Sequence, residues 1–370
     1  MGFDVDLGTH PGDRLLQLVR HAHLPGCSPE ASIQPGILSV PAVADWFLQR
    51  CRSEDLCSLA LSLLTDTETP GLVLRALAAG ALAEQKESTV AEATLYSLAD
   101  KAESSGARLV AIGGLANAHK DAAAPHLRPA GRVELLAVHS LSALVDVVQS
   151  VGGAELLPPP SVAWADRFAS TRTLRAGNTQ VVIHRTLVGG WAGMRIPIHV
   201  LGARTEQLSL NGTTIECLDP PSRLIATALR LAGSASLSCH SARDASLLAA
   251  RPDVLRAAMA RSKFWRVELA VSHGLWRAAQ HLPQSGLAQL ESLEDHLTPP
   301  LYGKAAWWAA ARELPWSDRA AFLWPKFWPP RSFLAPRSQP CVRHLADGLA
   351  HQTSHARPNG ESTTQGRHTP

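Results

Sequence analysis

Three short segments carry side chains whose types and spacing could do chemistry together. Gly113-Gly114 ends the apolar run Leu109-Val110-Ala111-Ile112, Arg132-Val133-Glu134 opens a second run, and His184 closes a third, Val181-Val182-Ile183. A glycine pair at a strand end lets backbone N–H groups approach a phosphate at the start of the following helix. Residues at i and i+2 of a strand point to one face, so Arg132 and Glu134 are neighbours there. Two carboxylates so placed, with a third on an adjoining strand, would bridge the divalent metals that phosphate chemistry uses. Here one of the two positions is an arginine, which stays charged and has no lone pair for a metal.

Each of these residues also has a plainer role. Arg132 and Glu134 could form an edge-strand ion pair of little energetic weight. His184 is either a substrate contact or general acid/base, because imidazole titrates near neutral pH, or a half-buried strand histidine bonded to a carbonyl. Arg128 sits either at the rim of the same pocket or on a loop facing solvent. His240 and Asp244, spaced i, i+4, read as a structural pair on a helix. His21, His23 and Cys27 lack the second half of any zinc pattern.

The elements that must hold these residues alternate in kind. The spacing predicts a helix from Asp13 to Leu24 and a helical region from Val40 to Ser105, broken at Pro70, with a further helix from Val90 to Ala102. The period then changes. Arg108–Ile112 reads as a strand, Leu115–Ala124 as a helix, Arg132–Val138 as a strand, and Leu141–Val151 as a helix N-capped by Ser140. Pro158-Pro159-Pro160 marks a loop. Gln180–Leu187, Ile196–Leu201 and Gln207–Leu210 read as strands, and Asn211-Gly212 turns the last into Thr213–Cys217. Asp219-Pro220-Pro221 starts a helical stretch that runs to Trp324. The segments are an N-terminal extension (1–35), a helical region (36–105), an α/β module (106–218), a C-terminal helical region (219–338) and a tail (339–370) whose composition suits disorder. Trp307, Trp308, Trp316, Trp324 and Trp328 read as packing anchors before a stacking platform.

Composition narrows the classes. A length of 370 residues with 45% hydrophobic content supports a full core. A net charge of +3, with no dense basic run before the tail, argues against nucleic acid. Scarce lysine beside abundant Ala, Leu and Pro reads as a GC-rich bacterial coding bias. The six cysteines include no CxxC pair, so free thiols in a reducing cytoplasm are expected. The start MGFDVDLGTHPGD has no signal-peptide pattern, and no apolar stretch is long enough to span a membrane.

The order of these motifs resembles the uncharacterised bacterial nucleotidyltransferases of the polymerase-beta-like superfamily. The likeness covers roughly Asp45 to Pro336 and rests on five features. They are the Asp45-Trp46 helix, the stretch GARLVAIGGLA, Leu127-Arg128-Pro129, the strand ending in His184, and the segment NGTTIECLDPP. Leu323-Trp324-Pro325 through Ser332-Phe333-Leu334 matches the closing motif. The resemblance implies an α+β fold: a small mixed sheet of the nucleotidyltransferase type, flanked by N-terminal and C-terminal helical regions. It also implies a metal site that is spoiled here. The paired aspartates fall on Arg132 and Glu134, the third falls on Val182, and a phosphate-binding lysine falls on Gly113.

The expected function is therefore a degenerate nucleotidyltransferase-like protein without metal-dependent transfer. It would bind a nucleotide, another small anionic ligand or a partner protein through Gly113, Gly114 and Arg128, with no cofactor. Two alternatives stand beside it. One is a metal-free enzyme of bacterial specialised metabolism using Glu134, His184 and Arg132. The other is an atypical active transferase that needs Mg²⁺, helped by Asp121 or Asp146.

Overall fold

A computed structural model describes residues 10–25, 27, 35–156, 168–189, 191–234 and 237–282, together with Arg312, Trp316, Asp318 and Arg319. The chain forms two compact units, Met1–Phe327 and Trp328–Pro370, and every described residue lies in the first. The expected proline loop at 158–160, the closing motif, the tail and Trp307, Trp308, Trp324 and Trp328 lie outside the described residues. Trp316 is described and exposed.

Four helices come first: α1 (Asp13–His21), α2 (Pro41–Ser53), α3 (Cys57–Leu64) and α4 (Gly71–Ser105). They close a core around Phe47, Leu56, Leu59 and Leu64. The two helices expected between Pro70 and Ala102 are one helix of 35 residues. The polar stretch between their apolar stripes, Glu84-Gln85-Lys86-Glu87, is made of good helix formers and contains no breaker. Buried Glu84 caps the next-door helix instead, accepting from the backbone N–H groups of Cys57 and Ser58 at 2.8 and 3.0 Å. Gly106, at φ 68°, ends α4 in a left-handed turn. The first part of α4 packs Val73 and Leu77 into the helical core, and its last part packs Ala91, Leu95, Leu98 and Ala102 onto the sheet.

The middle of the chain folds as β1 (Val110–Ile112), α5 (Gly114–Lys120), β2 (Arg132–Leu136), α6 (Leu141–Ser150), β3 (Ala154–Glu155), β4 (Thr171–Ala176) and β5 (Thr179–His184). It continues through α7 (Trp191–Arg195), α8 (Ile198–Gly202), β6 (Thr205–Leu210) and β7 (Thr213–Leu218). The fold is mixed α+β, with a seven-stranded mixed sheet in the order β3-β4-β5-β2-β1-β7-β6. The sheet is larger than the small one expected. β4 folds back on β5 as a hairpin and extends the edge, with Gly177 at φ 56° in the turn. The strand expected at Ile196–Leu201 is the helix α8. A short apolar run does not distinguish strand from buried helix, and Pro197 supplies a helix start. Ser140 and Asp219 cap as expected, accepting from the N–H groups of Ala143 and Ser222 at 3.2 Å each.

Four helices follow the sheet: α9 (Pro220–Gly233), α10 (Cys239–Ala249), α11 (Pro252–Phe264) and α12 (Glu268–His281). Strand alternation divides the core between two sides of the sheet. Val133, Leu135, Val181 and Ile183 meet α4 and α6, whereas Val110, Ile112 and Leu136 meet α9 to α12. Among the described residues no helix is long and apolar enough to cross a membrane.

Candidate functional site

Strand register gathers the polar residues singled out above. β1 and β2 run antiparallel and set Glu134 opposite Ile112, the residue before Gly113. β2 and β5 run parallel and set Glu134 beside Val182, and Leu136 beside His184. Alternation leaves Arg132, Glu134, Val182 and His184 on the face that α9 covers. There they line one cleft of about 300 Å³ with Arg230 of α9, walled by Leu187, Val188 and Leu229.

Glu134 is the centre of this cleft. Its Oε1 accepts a 2.6 Å bond from Arg132 Nε. Its Oε2 lies 2.5 Å from Arg230 Nη2 and 3.5 Å from His184 Nε2. The Arg230 contact is a charge contact without aligned hydrogen-bond geometry, and neither ring nitrogen of His184 has an aligned partner. Glu134 is only 4% exposed, Arg230 24% and Arg132 57%. Burial pushes the Glu134 carboxyl up, but Arg230, His184 and Arg132 together outweigh it and hold it well below the usual carboxylate range. Burial pushes the His184 imidazole down, Glu134 opposes this, and the two arginines add to it, so the ring is neutral at pH 7.

Gly113 is required by its surroundings. Its φ of 73° and ψ of −143° suit only glycine, and a Cβ there would lie 2.5 Å from Glu134 Oε2 and 2.9 Å from Arg230 Nη1. The surface before Gly113 is thus filled by the chain's own carboxylate and guanidinium. Gly114 lies against Arg128, whose Nη1 would sit 3.3 Å from an added Cβ. Arg128 donates to Asp244 through Nε (3.0 Å) and Nη2 (2.9 Å) and to the Pro129 carbonyl through Nη1 (2.8 Å). Asn117 donates to the same aspartate at 2.8 Å. The Arg128 fork is therefore spent on structure.

The expected pair of His240 with Asp244 does not form, because Arg128 and Asn117 satisfy the aspartate. His240 instead meets the Asp55 carbonyl at 2.9 Å, and burial and Arg128 hold its pKa down at about 3. Asp121 is paired with Arg223 at 2.8 Å, and Asp146 is exposed on α6. Neither reaches the cleft. His21 and His23 bond to the Gln17 carbonyl and the Ser62 hydroxyl.

A divalent metal does not fit the Glu134 cleft. Among the described residues Glu134 is its one carboxylate, and each oxygen already faces a guanidinium. A second donor set, Glu54, Cys239 and His281, has its ligand atoms within 4.8 Å of one another. There Arg20 and Arg50 hold Glu54 at 2.5 and 2.8 Å, and burial pushes the Cys239 thiol up to about 12. Both sets offer a metal a guanidinium-bound carboxylate, and the second adds a protonated thiol.

Sequence reasoning missed Arg230. Its signal was present: α9 reads PPSRLIATALRLAG, and its two arginines stand seven apart in an otherwise apolar helix. A cation on such a face must find an anion. Arg223 finds Asp121, and Arg230 finds Glu134. Compared with protein-family models the chain matches none, and no curated protein matches it.

Proposed function

We propose that this chain is a nucleotidyltransferase-like protein that has given up metal-dependent transfer and binds an anionic ligand in the Glu134 cleft. One observation carries the reading: Arg132 and Arg230 each face one oxygen of Glu134. On this reading, fixed cations of the chain take the part that the resemblance gives to metal ions. The register supports it further, because the three positions of the resembled acidic set, Arg132, Glu134 and Val182, surround one cleft. The test is incubation with each nucleoside triphosphate and Mg²⁺ or Mn²⁺, followed by a search for labelled acceptor or labelled protein. No transfer is expected. Robust transfer to any acceptor overturns the reading and favours the atypical transferase.

His184 supports a second reading, metal-free acid–base chemistry. It is neutral and half-buried, with Nε2 3.5 Å from Glu134 Oε2 and no hydrogen-bond partner at Nδ1. A neutral imidazole can accept a proton at one nitrogen and donate from the other. An activity that survives both His184→Ala and Glu134→Gln would end this idea.

A further inference from the structure

We infer that the ligand of the Glu134 cleft is a small organic monoanion, a carboxylate on an apolar body, and not a nucleotide; this rests on reading the cleft as an anion site. Charge is the first argument. Two guanidiniums face one ionised carboxylate and a neutral imidazole, which leaves a single positive charge among the described residues lining the cleft. A carboxylate neutralises one charge. A phosphate monoester carries about −1.5 to −2 at pH 7, and a nucleoside triphosphate carries more. Among the described residues the cleft has no lysine and no second arginine pair to meet them.

Geometry is the second argument. Arg132 reaches Glu134 through Nε, and with its side chain 57% exposed the Nη edge is the part it can offer a ligand. A guanidinium edge matches a carboxylate with two parallel bonds. The lining also has an apolar part: Val182, Leu187, Val188 and Leu229. Among the described residues the lining includes no phenylalanine, tyrosine or tryptophan on which a base would stack. The volume of about 300 Å³ stands at the lower end of small-molecule sites. His184 lines the cleft with Nε2 3.5 Å from Glu134 Oε2, so an anion bound there should perturb its ring.

The experiment uses the full chain, isothermal titration and ring-nitrogen NMR of the histidines. The probes are benzoate and hexanoate, with benzamide as the neutral counterpart and phenyl phosphate and ATP as multiply charged ones. At least one monocarboxylate should bind tenfold more tightly than benzamide, phenyl phosphate or ATP and should move the His184 signal. Arg132→Gln should weaken that binding at least tenfold without changing the melting temperature. Tighter binding of phenyl phosphate or ATP overturns the monoanion and leaves the anion-site reading standing. Equal binding of benzamide and benzoate, or no binding of any probe to folded protein, overturns the monoanion and the anion site together. Nucleotidyl transfer is scored separately: its presence would overturn the parent reading and the monoanion with it, whereas the binding outcomes above separate the two.

Discussion

Arg230 and Glu134 join α9 to the central sheet: Nη2 of one lies 2.5 Å from Oε2 of the other, and the carboxylate is almost wholly buried. A buried charge persists only with a partner. Arg132 touches the other oxygen but stands 57% in solvent. The two arginines are therefore unequal, although both bear on one carboxylate. Arg230→Ala should destabilise the protein by about 3 kcal/mol, the low end for a broken buried pair because this guanidinium is partly solvated. Arg132→Ala should cost less than about 1 kcal/mol. Urea unfolding of the two variants checks the order, and equal costs would refute it.

Acid should reveal the Glu134 contacts. The folded carboxyl lies below its ordinary value of 4.5, so the folded state favours the ionised form. Its stabilising contribution is complete above the unfolded pKa and is lost as pH falls through the folded one. Unfolding free energies measured between about pH 6 and pH 3 should fall less steeply in Glu134→Gln than in the parent. The variant should also be weaker at neutral pH, because Arg230 loses its counter-charge. A parallel acid limb in the two proteins would disprove the assignment.

His184 should titrate below its ordinary 6.5 because burial and the two arginines outweigh Glu134. Its neutral form is the one the fold prefers. The contribution is full above pH 6.5, where the unfolded ring is also neutral, and declines as pH falls from there toward the folded value. Ring-nitrogen NMR should place its midpoint below 6.5. Arg230→Gln should move it upward, and no movement would show that Arg230 does not govern this ring.

Gly113→Ala tests the turn. The backbone conformation alone should cost on the order of 1–3 kcal/mol. The added methyl also meets the Glu134 carboxylate and should push it off Arg230. The diagnostic is non-additivity: Gly113→Ala and Arg230→Ala combined should cost less than the sum of the two. Strict additivity would mean that the glycine serves the backbone alone.

Local signals made much of this legible in sequence. Ser140 and Asp219 were readable as caps because hydroxyl and carboxylate side chains bind the free N–H groups that begin a helix. The common face of Arg132 and Glu134 follows from a period of two, and the structure adds that they touch. The conjunction with His184 needed the register of β5 on β2, which no local pattern carries. Arg230 was harder still, because it lies 96 positions beyond Glu134 (230 less 134) and reaches it only through helix-on-sheet packing. Arg128 looked free in a loop, and its aspartate partner comes from a distant helix. Where side chains alone decide, as at Ile196–Leu201, short apolar runs remained ambiguous between strand and helix.

The helix α4 has a mechanical consequence for the cleft. It contributes Val73 and Leu77 to the N-terminal core and Leu95 and Leu98 to the layer beneath β2 and β5. At 35 residues it is a rod roughly 50 Å long, seated in both. Neither layer can loosen without unseating the rod that the other grips. Melting of the N-terminal helices and collapse of the strands that carry Glu134 and His184 are thus tied into one cooperative event, and damage done far from the cleft is felt within it.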